Sequence, residues 1–251
     1  VTWRADRHTD ADGIWSVVSA RDPSRVGQHQ VRIGGDTVSV LSFPGDDGWA
    51  EFITTQVDKG IPVLEKLVGQ EWPGGLSRIR EDVAPAVTGY AWFDHREHEI
   101  VLGEEFDAAL LYHELTHAWL NGDHVHERWL SEGLTDLVAH RAVERTGQTS
   151  TPRKPPKRTS KVAFPLMEWQ EGMKTRADDA EIYGYDASYT AVRELVGELD
   201  DATLAALLTA VYRGESAYDP PGTVDPDSLS RTGWRRFLDL VRDFLVFEDD
   251  G

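Results

Sequence analysis

In the segment "LLYHELTHAWLNGDHVHERWLSEGLTDLVAH", residues 110–140, five histidines and several acids stand among apolar residues. Burying an unpaired polar group costs roughly 1–3 kcal/mol, so imidazoles and carboxylates on an apolar helix face need a compensating partner, and a metal ion is one. His113 and His117 are four residues apart. On an α-helix that spacing is about 40° of rotation and about 6 Å of rise, which brings both imidazoles to one point in space. Zinc–nitrogen bonds of about 2.0–2.1 Å suit two neutral imidazoles so presented, and Glu114 can face a water on the metal without itself binding the metal. This HExxH arrangement implies hydrolysis with one catalytic Zn2+ ion. Zinc lowers the pKa of its water towards neutrality, and an adjacent carboxylate takes the proton and later hands it to a leaving amine.

A catalytic zinc needs a third protein ligand and an open fourth position. "RWLSEGLTD" supplies a carboxylate, Glu132, on what reads as the next helix. The fourteen residues between His117 and Glu132 leave room for the first helix to end near Asn121-Gly122 and for a short loop to return the chain antiparallel. Asp123 is a rival third ligand, of the HExxHxxGxxD kind. That pattern needs a glycine three residues after the second histidine so that the chain can turn sharply, and Leu120 stands there. His124 and His126 are further candidates, in a loop of charged residues where solvated histidines are ordinary.

The elements that must position these groups are legible in outline. "IWSVVSA", "QHQVRI" and "TVSVLSF" read as strands, with Gly34-Gly35 turning the chain between the last two. Gly48 to Gly69 carries helical periodicity, with a kink expected at Gly60 and Pro62. Strand-like runs follow at Leu76–Glu81, Ala86–Phe93 and Glu99–Leu102, and from about Glu105 the pattern turns helical. "TSTPRKPPKRTSK", residues 149–161, interrupts it as a basic, proline-rich exposed loop after Gly147. "DDATLAALLTAVYRG" runs from an aspartate N-cap signal to a glycine stop, and "SRTGWRRFLDLVRDFLVF" reads as a final amphipathic helix. The expected fold is α+β, with a mainly β amino-terminal subdomain containing one helix over 1–104 and a helical subdomain carrying the zinc site over 105–251. The zinc is expected between two helices and an edge strand lying within Ala86 to Leu102. An exposed edge can take up an extended peptide as an added strand.

Composition limits the function classes. The 251 residues include no cysteine, so disulfides and thiolate ligands are excluded and any zinc site must use histidine and carboxylate. A hydrophobic fraction of 40% with nine tryptophans argues against disorder, and no apolar run approaches the roughly 20 residues of a membrane span. The net charge of -18 disfavours nucleic acid and anionic membrane surfaces as partners. No dense oxygen-ligand loop for calcium stands in the sequence. The opening "VTWRAD" reads as a processed start, which gives an extracellular or cell-surface location as the expectation and a cytoplasmic one as the alternative.

"HELTHAWL" followed by "WLSEGLTD" resembles the gluzincin metallopeptidases, the clan of thermolysin-like and aminopeptidase-N-like enzymes, with HExxH on one helix and the third-ligand glutamate on the next. The resemblance implies His113, His117 and Glu132 as zinc ligands, Glu114 as general base and acid, and a peptide or protein substrate. It also implies Asp136, four residues after Glu132, as the aspartate that orients the first histidine; such partners fix the tautomer and raise ligand basicity. "EIYGYDASYTAVRELVG" is similar to the aminopeptidase-N-like pattern of a tyrosine opening a helix behind the zinc. Tyr185 aligns best, with Tyr183 and Tyr189 as competitors, and the resemblance implies that its phenol donates a hydrogen bond to the oxyanion. The insert between HExxH and Glu132 is shorter than in aminopeptidase-N-like enzymes, which implies a compact member. Their GxMEN motif has no counterpart before the active-site helix, where "VTGYAWFDHREHEIVLG" stands, so aminopeptidase specificity does not follow. The alternative function is a non-catalytic, zinc-containing peptide-binding module with a gluzincin-like fold, which would have no need of Glu114.

Overall fold

A computed structural model of the chain describes residues 22, 24–83, 91–157, 159–169, 178–217 and 231–246. The strand expected at "IWSVVSA" and the first part of the Ala86–Phe93 run lie outside the described residues.

Strands β1 (Gly27–Ile33) and β2 (Asp36–Ser42) pair antiparallel, with Ile33 opposite Asp36 across the two-glycine turn. Gly34 sits at φ 55°, the left-handed region that such a turn demands and that glycine enters without penalty. Alternation turns Val31, Ile33, Val38 and Val40 inward. Strands β3 (Arg78–Glu81), β4 (Ala91–Asp94) and β5 (Glu99–Leu102) complete a five-stranded sheet in the order β1-β2-β3-β5-β4. The β2–β3 and β3–β5 pairs are parallel and β4–β5 is antiparallel, so β4 is an edge.

The parallel step from β2 to β3 requires a crossover, and helix α1 (Asp47–Val68) provides it. Asp46 caps its start by accepting from the Trp49 N–H at 3.1 Å, and Gly69, at φ 74°, ends it. The expected kink does not interrupt the helix, which runs on through Gly60 and Pro62. Gly60 serves close approach instead. A Cβ there would stand 2.2 Å from the Tyr112 ring of the next helix.

The helices after the sheet are α2 (Ala108–Thr116), α3 (Arg128–Arg145), α4 (Asp178–Val196), α5 (Asp201–Tyr212) and α6 (Trp234–Val246), with a short 3-10 turn at Leu166–Glu168. Helix α3 packs on α2 on one side and α4 on the other, and α1 lies against the sheet, α3 and α5. One apolar cluster runs from Val31 in β1 to Val241 in α6. The architecture is α+β as expected, a mixed sheet whose edge strand β4 lies beside α2, followed by a helical carboxy-terminal part.

The helix carrying "HELTH" is shorter than expected. It ends at Thr116, with His117 as C-cap, rather than near Asn121-Gly122. Beyond it the chain closes into tighter turns: Ala118 N–H donates to Leu115 O at 3.1 Å and Trp119 N–H to Thr116 O at 3.0 Å. The tightening accompanies the burial of Trp119, whose indole N–H reaches Glu71 O at 2.9 Å and whose ring meets Trp72 edge-on.

Candidate metal centre

Asp107 starts α2 by accepting from the N–H groups of Ala109 and Leu110, at 2.8 and 3.1 Å. One turn on, Tyr112 donates its hydroxyl hydrogen to Gln56 on α1 at 2.9 Å. That contact turns the Tyr112 face of α2 to α1, and the next two residues, His113 and Glu114, fall on other faces of the helix. His113 and Glu114 therefore face α3 and the sheet edge. His117 keeps helical backbone angles, φ -62° and ψ -12°, so the four-residue geometry survives the early helix end.

Three ligand atoms meet there. His113 Nε2 lies 3.1 Å from His117 Nε2 and 3.1 Å from Glu132 Oε2, and His117 Nε2 lies 3.4 Å from the same carboxylate oxygen. A tetrahedral ion with bonds of about 2.0–2.1 Å has ligand–ligand edges of about 3.3 Å. The far side of each imidazole is occupied. His113 Nδ1 is 2.7 Å from Asp136 Oδ1, and His117 Nδ1 is 3.1 Å from Leu120 O. A proton on each Nδ1, donated to these acceptors, leaves two nitrogen lone pairs and a carboxylate oxygen converging on one point. Such an arrangement repels itself unless a cation lies among them, so the residues fit a metal. Among the described residues, His113, His117 and Glu132 form the group able to hold one.

The electrostatics agree. Burial opposes charge on His113, but the Asp136 and Glu132 carboxylates outweigh it and hold the imidazole well above its ordinary pKa. Glu132, despite burial, is held well below the usual carboxylate range by His117 and His113. Asp136 is likewise depressed against its burial, by His113 and by Arg153. The cluster attracts positive charge.

Glu114 is buried beside this point. Burial pushes its pKa up while the two histidines pull it down, and burial prevails. Of the three candidate tyrosines, Tyr185 faces the centre, with its ring 6.3 Å from that of His113. Tyr183 packs on Phe164, and Tyr189 is buried against His140. Burial, and then Glu132, push the Tyr185 phenol well above its ordinary pKa, so it stays protonated. Arg128 donates to its oxygen at 3.3 Å, an interaction that leaves the phenol hydrogen free to point elsewhere.

Sequence reasoning missed three neighbours. Arg128 stands 3.7 Å from Glu132 Oε1 and 3.0 Å from Glu181, with its guanidinium 4.0 Å above the Trp169 ring. Its place four residues before Glu132 is a helical-face signal that could have exposed it. Arg153 lies in the proline-rich segment read as an exposed loop, yet it pairs with Asp136 and covers the Tyr185 ring at 4.9 Å. No spacing announces that contact. Trp169, 2% exposed, closes the cluster, and Gly184 on α4 makes room for it. The rival ligands go elsewhere. His124 bonds Tyr212 O and stacks on its ring, while His126 is exposed beside Glu127.

Neither a protein-family model nor a curated protein matches this sequence. Among solved structures, one of yeast LTA4 hydrolase in complex with bestatin is similar, with a TM-score of 0.51 and 16% sequence identity. The match covers 89% of this chain, which spans 37% of the length of that one. At that identity the likeness is one of fold.

Proposed function

We propose that the chain is a zinc-dependent peptidase of compact gluzincin type, hydrolysing peptide bonds with Glu114 as its proton carrier. The observation that carries this reading is the convergence of His113 Nε2, His117 Nε2 and Glu132 Oε2 at 3.1–3.4 Å around one point, with the Glu114 carboxylate buried beside it. A zinc ion held by those three atoms supplies Lewis acidity, which polarises a carbonyl and makes water a nucleophile near neutral pH.

The chain's own groups do the rest. Glu114 receives a proton at a carboxylate oxygen and passes it to the leaving nitrogen, a task suited to a carboxylate whose pKa burial has raised. Tyr185 keeps its proton and donates a hydrogen bond to the developing oxyanion, while Arg128 holds the phenol oxygen in place. Asp136 fixes the His113 tautomer, and Arg153 holds Asp136 from behind. The outer edge of β4, from Ala91 to Asp94, which no other described strand pairs with, offers backbone groups to an extended peptide, and Ala91 lines the cavities at His113 and Glu114.

Zinc content and digestion of a mixed peptide library, measured on the same preparation, test the reading. One zinc per chain with cleavage is expected, and Glu114→Gln should keep the zinc and lose the cleavage. A zinc-loaded chain that cuts nothing would sink it in favour of a peptide-binding module.

A further inference from the structure

The segment that follows α3 runs back over the site, although its prolines and charges read as solvent-facing. Gly147, at φ 80°, turns the chain at the end of the helix, and the Gln148 N–H donates to Val143 O at 3.0 Å. From there three side chains tie the segment down. Gln148 donates its amide to Gln56 Oε1 of α1 at 2.8 Å, the oxygen that also receives the Tyr112 hydroxyl. Ser150 Oγ lies 2.7 Å from His140 Nδ1, and Arg153 Nε donates to Asp136 Oδ2. His140 and Asp136 stand about one turn apart on α3, so the segment follows that helix backwards, from its end towards the metal ligands. Residues 148–151 and Arg153 wall a cavity of about 780 Å3 that also reaches His113 and Glu114.

Arg153 is where this segment meets the chemistry. The two oxygens of the Asp136 carboxylate are divided, one facing His113 Nδ1 at 2.7 Å and the other taken by Arg153. The same guanidinium lies over the Tyr185 ring, 4.9 Å from its centroid, and reaches Asp186, the next residue on α4, at 3.8 Å. Tyr185 is held on its other sides by the edge-on Trp169 ring at 4.9 Å and by Arg128, which donates to its oxygen. One side chain therefore touches both the carboxylate that orients a metal ligand and the ring that carries the phenol. An ammonium can face Asp136 as a point charge, but a planar guanidinium also has a flat face to lay on a ring.

We propose that Arg153 is a positioning residue with two separable actions, on metal retention through Asp136 and on the reaction through Tyr185. The second action rests on the peptidase reading above, and the first does not. Without Arg153, the Asp136 carboxylate loses the donor that fixes its plane, and its grip on His113 loosens. The Tyr185 ring loses its cover on the cavity side, and its hydroxyl no longer points to one place.

The test combines chelator competition for zinc with kcat and KM on a peptide that the zinc-loaded chain cuts. Arg153→Met should weaken zinc binding roughly tenfold, as removal of such a partner does. With zinc restored to saturation, kcat should still be lowered roughly 10–100-fold, the effect of a misplaced group. In an Asp136→Asn background the same substitution should change zinc affinity by no more than about twofold, and in a Tyr185→Phe background it should change kcat by no more than about twofold. Arg153→Lys should keep zinc affinity and still lower kcat, a split that a general loss of packing does not produce. Equal losses in every background would overturn the proposal, because Arg153 would then act through neither partner. Should Arg153→Met fail to fold, Arg153→Lys decides: zinc kept with kcat lowered supports the proposal, and both kept or both lost overturns it. If the zinc-loaded chain cuts no peptide, the peptidase reading fails, and the zinc cycle between Arg153 and Asp136 decides by itself: coupling supports the action on the metal, and additivity overturns it.

Discussion

Helices α1 and α5 pack together and bury Leu64, Leu67, Leu204, Leu207 and Leu208; helices α2 and α3 pack together and bury His113, Glu114, Glu132 and Asp136. Both seams are screened from solvent, for opposite physical reasons. Each leucine contributes about 1.5–3 kcal/mol on leaving water and asks for nothing but neighbours of suitable shape. Each ionisable group loses hydration worth several kcal/mol and recovers it only from partners held in place. The leucine seam is therefore stable in itself, whereas the α2–α3 seam depends on its partners: Asp136 behind His113, Arg153 behind Asp136, and, on the function proposed above, a cation among the three ligand atoms. The difference teaches where to look for function, because a fold keeps charge inside only where a specific partner compensates it.

The largest effect that separates the seams is loss of the metal. His113→Ala or Glu132→Ala should abolish zinc binding, measured as metal content after dialysis, and with it all hydrolysis. A variant that still held one zinc would mean that the ligands are other residues. Next, Glu114→Gln should keep the zinc and lower kcat roughly 10^2–10^4-fold. Unchanged turnover would remove Glu114 from the chemistry. On the leucine side, Leu208→Ala should cost about 2–5 kcal/mol in denaturant unfolding while zinc content stays the same. A loss of metal there would show that the two seams are not separate. Asp136→Asn should weaken zinc binding about 10–100-fold in a chelator competition, because the amide no longer fixes the His113 tautomer with a charge.

The smallest expected effect is in pH. In chelated protein, His113 has a raised pKa, so its contribution to stability is complete below about pH 6.5 and fades as pH rises through the folded value. Glu132 and Asp136 have depressed pKa values, so their contributions are present above the ordinary carboxylate range and fade as pH falls through the folded values. The chelated chain should therefore be most stable between the ordinary carboxylate and histidine values. The zinc-loaded chain should gain stability above that window, since binding needs neutral imidazoles. Melting temperatures against pH, with and without chelator, check this as a difference of a few degrees. Parallel curves would mean that the α2–α3 seam does not depend on a cation.

Much of the frame was legible because its signals are local. The alternation of Val31, Ile33, Val38 and Val40 around Gly34-Gly35 spells a hairpin, and a helix from α1's start to Gly69 follows from periodicity and one left-handed stop. The aspartate at 200 caps α5 through Thr203, as its position suggests. Where local signals competed with packing, packing prevailed. The first metal-site helix gives way to tight turns that bury Trp119, and Gly60 accommodates Tyr112 rather than breaking α1.

By itself, the sequence determined the pairing of His113 with His117, because a four-residue spacing converges on any helix. It also placed Glu132 and Asp136 one turn apart on a shared face. Only the tertiary structure decided which tyrosine joins them. Gly133, next to Glu132, lets the backbone of α4 come so close that a Cβ would stand 2.6 Å from Ser188 O, and Gly184 yields to Trp169 in the same way. Those two approaches turn Tyr185, not Tyr183 or Tyr189, towards His113. Arg153 reaches Asp136 from a segment whose prolines and charges read as solvent-facing. The order β1-β2-β3-β5-β4, which among the described residues leaves β4 at the sheet edge beside α2, is equally non-local. Spacing within an element is set by backbone geometry alone, whereas contact between elements depends on which side chains leave room for one another, and that is settled only when the whole core packs.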